Sequence, residues 1–378
     1  MIIRNGLVFR RDGFIEKDLA FENGIITDIA PAGTLTGDGF NAAGAYVTPG
    51  FVDIHTHGCV NNDFCDANPE GYEEMLAYYG SHGVTSVLAT TMSYDEDVLS
   101  RITQTALRYI GKKGFGAVLR GVNMEGPFIS KDKCGAQNPE YIMDPDTYFF
   151  DRLFEAFEGN IRLLSMAPEL PGSLELINHA AKRCTVSLAH TIAEYDCAAS
   201  AFEAGASHVT HLFNAMPGFG HRQPGVIGAA YDDAEHVEII SDGVHLHPSV
   251  VRAMFQMFGS HRICLVSDCV RGTGMPNGEY ELGGQAVIIK DGRSNLADGG
   301  TIAGSATNLT DCFRRSVEFG VPLVDAVRAA SYNPARAVSI DSEVGSLERG
   351  KTADILIMDS DLNVMAVFAG GEALEIHN

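Results

Sequence analysis

Six side chains stand where short apolar runs stop, and their types suit one kind of chemistry. His55 and His57 close the stretch Tyr46-Val-Thr-Pro-Gly-Phe-Val-Asp-Ile-His-Thr-His-Gly58, Glu125 closes the run 118–125, His190 closes 185–190, His211 lies in 208–214, and Asp268 closes 263–268. Residues two apart on a strand share a face, so the spacing predicts that the imidazoles of His55 and His57 project together. Neutral imidazole is the commonest ligand for zinc-like ions, and a His/Asp/Glu set with one position left for water is what metal-assisted hydrolysis requires. Taken alone, His-x-His reads more readily as two polar residues at a strand end; the other strand-end residues make it a candidate divalent-metal site. Glu125 precedes Gly126-Pro127, which ends the strand and leaves the carboxylate at the rim. Asp268 follows Cys264-Leu-Val-Ser267 and is expected at the end of a buried strand. Beside an activated water a carboxylate takes a proton and returns it to a leaving amine; otherwise it caps the following loop. The reaction class these residues suit is hydrolysis of an amide, an ester or a related C–N bond.

Such residues need a scaffold that brings strand ends together. Eight β-rich runs (51–57, 84–91, 118–125, 161–169, 185–190, 208–214, 237–242 and 263–268) alternate with helical segments at 69–81, 95–110, 145–157, 173–183, 194–204 and 249–258. The link after Asn214 is the least helical. This rhythm predicts an α/β fold, a (β/α)8 TIM barrel over 49–344, with chemistry at the C-terminal ends of its strands. Short alternating segments in 1–48 and 345–378 predict one small β-sandwich domain built from both ends of the chain. Residues 271–304 read as a hairpin insertion over the mouth, and 301–305 read either as site lining or as an ordinary Gly turn before a helix at 308–319.

The remaining histidines divide by context. Parity on the sixth strand predicts that His208 faces the helices if His211 faces the lumen, which makes His208 structural. His245 and His247 follow a strand through Gly243, in a loop; His245 is expected to contact substrate and His247 is unassigned. His82, His179, His221, His236, His261 and His377 are expected on helices, loops or termini, mostly solvated or packed. The eight cysteines have irregular spacing and no Cys-x-x-Cys, so they are expected reduced and mostly buried, with Cys59 and Cys269 packing near the site. The net charge of −22 with no Lys/Arg cluster disfavours nucleic acid and anionic membranes as partners. An anionic small molecule remains compatible where a few local cations hold it. No apolar run reaches the roughly 18–20 residues that span a bilayer, and the first residues lack the order of a signal peptide, so a cytoplasmic location is expected.

The run Pro49-Gly-Phe-Val-Asp-Ile-His-Thr-His-Gly58 resembles the amidohydrolase superfamily. Asn123-Met-Glu-Gly-Pro-Phe128, Ala189-His-Thr191, Thr210-His-Leu-Phe-Asn-Ala-Met-Pro217, Asp242-Gly-Val-His245, Val266-Ser-Asp268 and Ala303-Gly-Ser305 are similar to its amino-sugar-phosphate deacetylases, in that family's order along nearly the whole chain. The resemblance implies a barrel with a small β domain, a homodimer, and Glu125, His190 and His211 as holders of the principal divalent ion. Zinc leads and Fe2+ is compatible. The presence of His55 and His57 favours the type able to hold a second ion. It further implies Asp268 as acid/base, and Asn214, Ala215, Arg222, His245, Ile302, Ala303 and Gly304 as contacts to an amino sugar phosphate, with Arg222 serving its own or a neighbouring subunit's site. In Lys133-Cys-Gly-Ala-Gln-Asn-Pro139, Ala136 and Gln137 fall in the segment facing the acetyl group. Some relatives carry a histidine where this chain has Gln137, whose amide donates a hydrogen bond but carries no charge. The implied activity is deacetylation of N-acetylglucosamine 6-phosphate, with its galactosamine epimer or a non-catalytic assembly role as alternatives.

Overall fold

The protein is described here by a computed structural model covering residues 1–298 and 300–376; His377 lies outside the described residues. Eight parallel strands follow one another in sheet order: Phe51–Asp53, Val84–Thr90, Val118–Glu125, Ile161–Met166, Thr185–Leu188, His208–Val209, His236–Ile239 and Ile263–Leu265. Every residue of Val84–Thr90 is buried, as a strand covered on both faces requires. The first and eighth strands meet just past their ends, where the Asp268 amide donates to the His55 carbonyl and the His57 amide to the Cys269 carbonyl, both at 2.9 Å. The Ser267 hydroxyl donates to the buried Asp53 carboxylate at 2.5 Å across the same seam. The result is a (β/α)8 barrel.

Helices pack around it with signals legible in the sequence. Pro69 opens Pro69–Ser81, and the carboxylates of Asp95 and Asp146 and the Asn308 amide oxygen accept from the first turns of Glu96–Tyr109, Thr147–Ala156 and Leu309–Glu318. The link after the sixth strand does contain a helix, Gly225–Asp233, but only after an irregular segment.

Several strands stop earlier than their apolar runs. The first ends at Asp53, the fifth at Leu188, the sixth at Val209 and the eighth at Leu265, so most of the candidate ligands lie on the turns beyond. The i, i+2 argument for His55 and His57 therefore does not describe their backbone. For the same reason parity fails for His208: it points into the barrel, its Nδ1 3.1 Å from the Ser187 hydroxyl, within a polar network through Thr210, Ser165 and Asn123. His236 likewise sits on a strand, buried, and not in a loop.

One eight-stranded sheet joins the two ends of the chain. Tyr46–Pro49 runs between Ile2–Arg10, parallel, and Ile355–Met358, antiparallel, around a core of Ile3, Val8, Leu19, Val47, Ile355 and Ile357. Tyr46–Pro49 then passes through Gly50 into the first barrel strand, so the sheet anchors the segment that carries His55 and His57. The insertion is a three-stranded antiparallel sheet, Gly278–Leu282, Gln285–Lys290 and Arg293–Leu296, one strand more than a hairpin. Its Leu282 and Val287 pack with Met92 and Ala303 beside the mouth.

Candidate metal centre and active site

The chemistry-bearing side chains gather where the chain leaves the strands. His190, His211 and Asp268 hold φ angles of 44°, 28° and 48°, in the left-handed region that side chains with a Cβ seldom adopt. Such turns aim the side chains back over the barrel axis, at a conformational cost that the surrounding core must hold. Glu125, at the end of the third strand, is 2% exposed and stands at the centre of the group.

The distances converge on two points. Glu125 Oε1 is 3.2 Å from both His190 Nε2 and His211 Nε2, and those two nitrogens are 3.1 Å apart. On the other side, His55 Nε2 lies 3.4 Å from Glu125 Oε1 and His57 Nε2 lies 3.4 Å from Glu125 Oε2. Asp268 Oδ1 is 3.3 Å from His57 Nε2 and 3.6 Å from His55 Nε2. Ligand bonds of about 2.1 Å in a tetrahedron put neighbouring donor atoms about 3.4 Å apart, the spacing of both groups. Glu125, His190 and His211 form one set that fits a divalent ion, and His55, His57 and Glu125 form a second.

Hydrogen bonds set the tautomers this needs. His190 Nδ1 donates to the Lys133 carbonyl at 2.7 Å, and His55 Nδ1 donates to the Glu238 carboxylate at 2.9 Å, so in each ring the Nε2 lone pair faces the group. His55 Nε2 is buried with no hydrogen-bond partner among the described residues, a gap that a divalent ion would fill. The electrostatics agree. Burial alone would raise the Glu125 carboxyl, but the imidazoles of His55, His190, His211 and His57 hold it well below the usual carboxylate range. Burial opposes charge on His55, yet Glu238, Glu125 and Asp268 push it up to about 9. Three buried carboxylates around these rings call for positive charge, and a divalent cation supplies it without protonating the ligands.

Residues 46–374 match the model of the amidohydrolase family. The chain belongs to this family. Among similar proteins, the N-acetylglucosamine-6-phosphate deacetylase of Bacillus subtilis (strain 168) is 34% identical over 376 residues, 98% of this chain and 93% of that one. The N-acetylgalactosamine-6-phosphate deacetylase of Escherichia coli O157:H7 is 30% identical over 375 residues, 98% of each chain. A solved structure of a mutant N-acetyl-D-glucosamine-6-phosphate deacetylase from Mycobacterium smegmatis, in complex with N-acetyl-D-glucosamine-6-phosphate, superimposes with a TM-score of 0.94 at 32% identity, covering 100% of this chain and 99% of that one.

In this amidohydrolase His57, Glu125, His190, His211 and Asp268 form the floor of a cavity of about 650 Å³, with His55 buried beneath it. Ala136 and Gln137 line one wall, Asn214, Ala215 and His245 another, and Ile302, Ala303 and Gly304 a third, so 301–304 of the 301–305 segment lines the site. Arg222 is the exception. It is exposed beside His221, in a separate hollow with Tyr195 and Pro217, and does not reach the cavity of its own chain. Gln137 is held at both ends: its Nε2 donates to Glu125 Oε2 at 2.9 Å and its Oε1 accepts from the Ser93 amide at 2.6 Å. Asp242 accepts from His245 Nδ1 at 2.8 Å; burial works against charge on His245, but this bond keeps its pKa raised. Cys59 and Cys269 are buried thiols of the packing, the latter 3.2 Å from the Gly58 carbonyl; all eight cysteines are free, half of them fully buried.

Glu238 is the residue that motif reading overlooked. It is fully buried, and its Oε2 accepts from both His55 Nδ1 and the His211 amide, at 2.9 and 3.0 Å, tying the two ligand sets together. The signal was present as a lone glutamate inside the apolar run Val237-Glu-Ile-Ile240, since an acidic residue is almost never fully buried without a partner.

Proposed function

We propose that this amidohydrolase hydrolyses N-acetylglucosamine 6-phosphate to glucosamine 6-phosphate and acetate. The observation that carries the reading is the full-length likeness, with a TM-score of 0.94, to a deacetylase solved with that sugar phosphate bound, in a chain that keeps a complete His/Glu/Asp floor.

Glu125, His190 and His211 would hold the principal divalent ion, zinc or Fe2+, and His55 and His57 with Glu125 a second. When bound, the ion polarises the acetyl carbonyl and lowers the pKa of the attacking water toward about 7. Asp268 does the proton work. Burial would raise its carboxyl, but His55 and His57 keep it below the ordinary value, so it starts ionised. It takes the proton of the attacking water and delivers it to the departing sugar nitrogen, general base followed by general acid. Gln137 spends its amide on Glu125 and orients that carboxylate, leaving carbonyl polarisation to the ion. His245, held in place by Asp242, faces the phosphate end of the substrate, where Asn214, Ala215 and 302–304 shape the sugar pocket. Arg222, outside its own cavity, serves the phosphate at the neighbouring subunit of a homodimer, a task its planar fork suits. Free thiols throughout and the absence, among the described residues, of any helix long and apolar enough to cross a membrane support the cytoplasm as its place of action.

The second reading, the galactosamine epimer as substrate, rests on the Escherichia coli relative. Acetate release from both epimers tests both readings, run on the isolated protein, after chelation and after zinc is restored. The expected result is release from the glucosamine epimer that disappears and returns. Preference for the galactosamine epimer transfers the assignment to the second reading, and no release from either overturns both.

A further inference from the structure

At the opposite end of the barrel the fold assembles a second cavity, of about 430 Å³, between the small sheet and the barrel. Arg10 and Arg11 enter it from the first hairpin of the sheet, Arg328 and Arg336 from the helices Leu323–Ala330 and Tyr332–Ala337, and His261 from the loop before the eighth strand. In a chain of net charge −22, this wall carries four guanidinium groups against two carboxylates, Asp12 and Glu348. Arg328 is anchored, donating to Asp325 at 3.0 Å and to the Ser260 hydroxyl at 2.8 Å. Arg10 is fixed by the Leu347 carbonyl at 3.0 Å. Among the described residues no carboxylate pairs with Arg10, Arg11 or Arg336, although carboxylates are in large excess over the chain. The catalytic cavity is remote, since His261 precedes the eighth strand and Asp268 follows it, at opposite ends of the barrel.

We propose that this cavity binds a phosphorylated small molecule, with Arg10, Arg11 and Arg336 on the phosphates. Guanidinium forks match phosphate oxygens two by two, and an unpaired cationic cluster gains most from a polyanion. The cavity falls within the usual size of small-molecule sites, and Phe9 and Tyr332 add apolar surface for a non-phosphate part. Because the arginines come from both domains, the ligand clamps the sheet to the barrel and stabilises the folded state in proportion to its occupancy.

The test is calorimetric titration of the full chain with inorganic pyrophosphate and, separately, with ADP. Ionic strength is matched with chloride, and any binding at the catalytic cavity is told apart because its affinity is unchanged in Arg11→Gln. The expected result is one saturable site per chain and a rise in Tm. Affinity should fall at least tenfold in Arg11→Gln and further in the Arg11→Gln, Arg336→Gln double variant, while acetate release stays within twofold of the parent. Tighter binding of ADP identifies a nucleoside phosphate, and tighter binding of pyrophosphate a free polyphosphate. Arg11 is exposed and makes no side-chain bond, so its single variant folds and keeps the result readable. The proposal is overturned if neither probe binds saturably at millimolar concentration, or if the variants bind as the parent does.

Discussion

The barrel mouth and the small β sheet are both well buried, yet they are built on opposite terms. The sheet's interior is apolar, with Ile3, Val8, Leu19, Val47 and Ile355 fully covered, and a strand bulge at Asn5 and a turn at Asn23 and Gly24 enter the left-handed region where Asn and Gly sit at little cost, Ala43 and Leu362 being the costlier exceptions. The mouth buries Glu125, Asp268 and Glu238 among imidazoles and puts His190, His211 and Asp268 themselves in left-handed backbone. Stability is made in the first region and spent in the second, so substitutions should separate activity from stability according to where they fall.

The largest effect is expected at Glu125, which both ligand sets share. Glu125→Gln should remove bound metal and bring acetate release to background; metal analysis showing full occupancy would break the picture of a shared carboxylate. Asp268→Asn should lower kcat by roughly 10²–10⁴-fold, the usual worth of a positioned acid/base. Its Tm should not fall, because a buried carboxylate is removed from a strained site. A variant that loses Tm in step with activity would assign Asp268 to the scaffold.

A sharper division lies within the mouth. His55→Asn should cost at most one equivalent of metal, whereas His190→Asn should cost the principal ion; equal metal content in the two variants would merge the sets into one. Glu238→Leu, which removes the acceptor for His55 Nδ1, should weaken metal affinity about 10–100-fold, as loss of a ligand's orienting partner does. Competition with a chelator reads this directly. In the sheet the signs reverse. Ile355→Ala should cost about 2–5 kcal/mol of stability and leave kcat of the folded enzyme unchanged.

The smallest effect is one of pH. Burial opposes charge on His245, but the Asp242 carboxylate holds its pKa above the ordinary value, so it keeps its proton to higher pH than a free imidazole and loses it as pH rises through the raised value. KM should therefore increase several-fold on the alkaline side while kcat follows Asp268 and the metal. A KM profile unchanged in His245→Asn would remove this histidine from phosphate binding.

How much of this was legible in advance differs residue by residue. The alternation of strands and helices was plain, because parallel strands covered on both faces read as continuous apolar runs and some of the helices carry side-chain caps, as at Asp95 and Asn308. The strand ends were overrun, because the segments after Val209 and Leu265 stay buried and keep an apolar texture after pairing has stopped. Parity carried through those turns misplaced His208. Arg222 matched a motif, but a motif carries no position, and the fold leaves its side chain outside the cavity of its own chain.

By itself the sequence determined the barrel, the identity of the metal-type side chains and their place at strand ends, since periodicity and residue chemistry are local properties. Tertiary structure alone decided the rest. Left-handed turns bring His190 and His211 within 3.2 Å of one Glu125 oxygen, Glu238 reaches past the eighth strand to hold His55, and Arg10 and Arg336, 326 positions apart, face one cavity. Distances between groups far apart in the chain depend on how the barrel closes and how the sheet docks on it, and no local pattern encodes them.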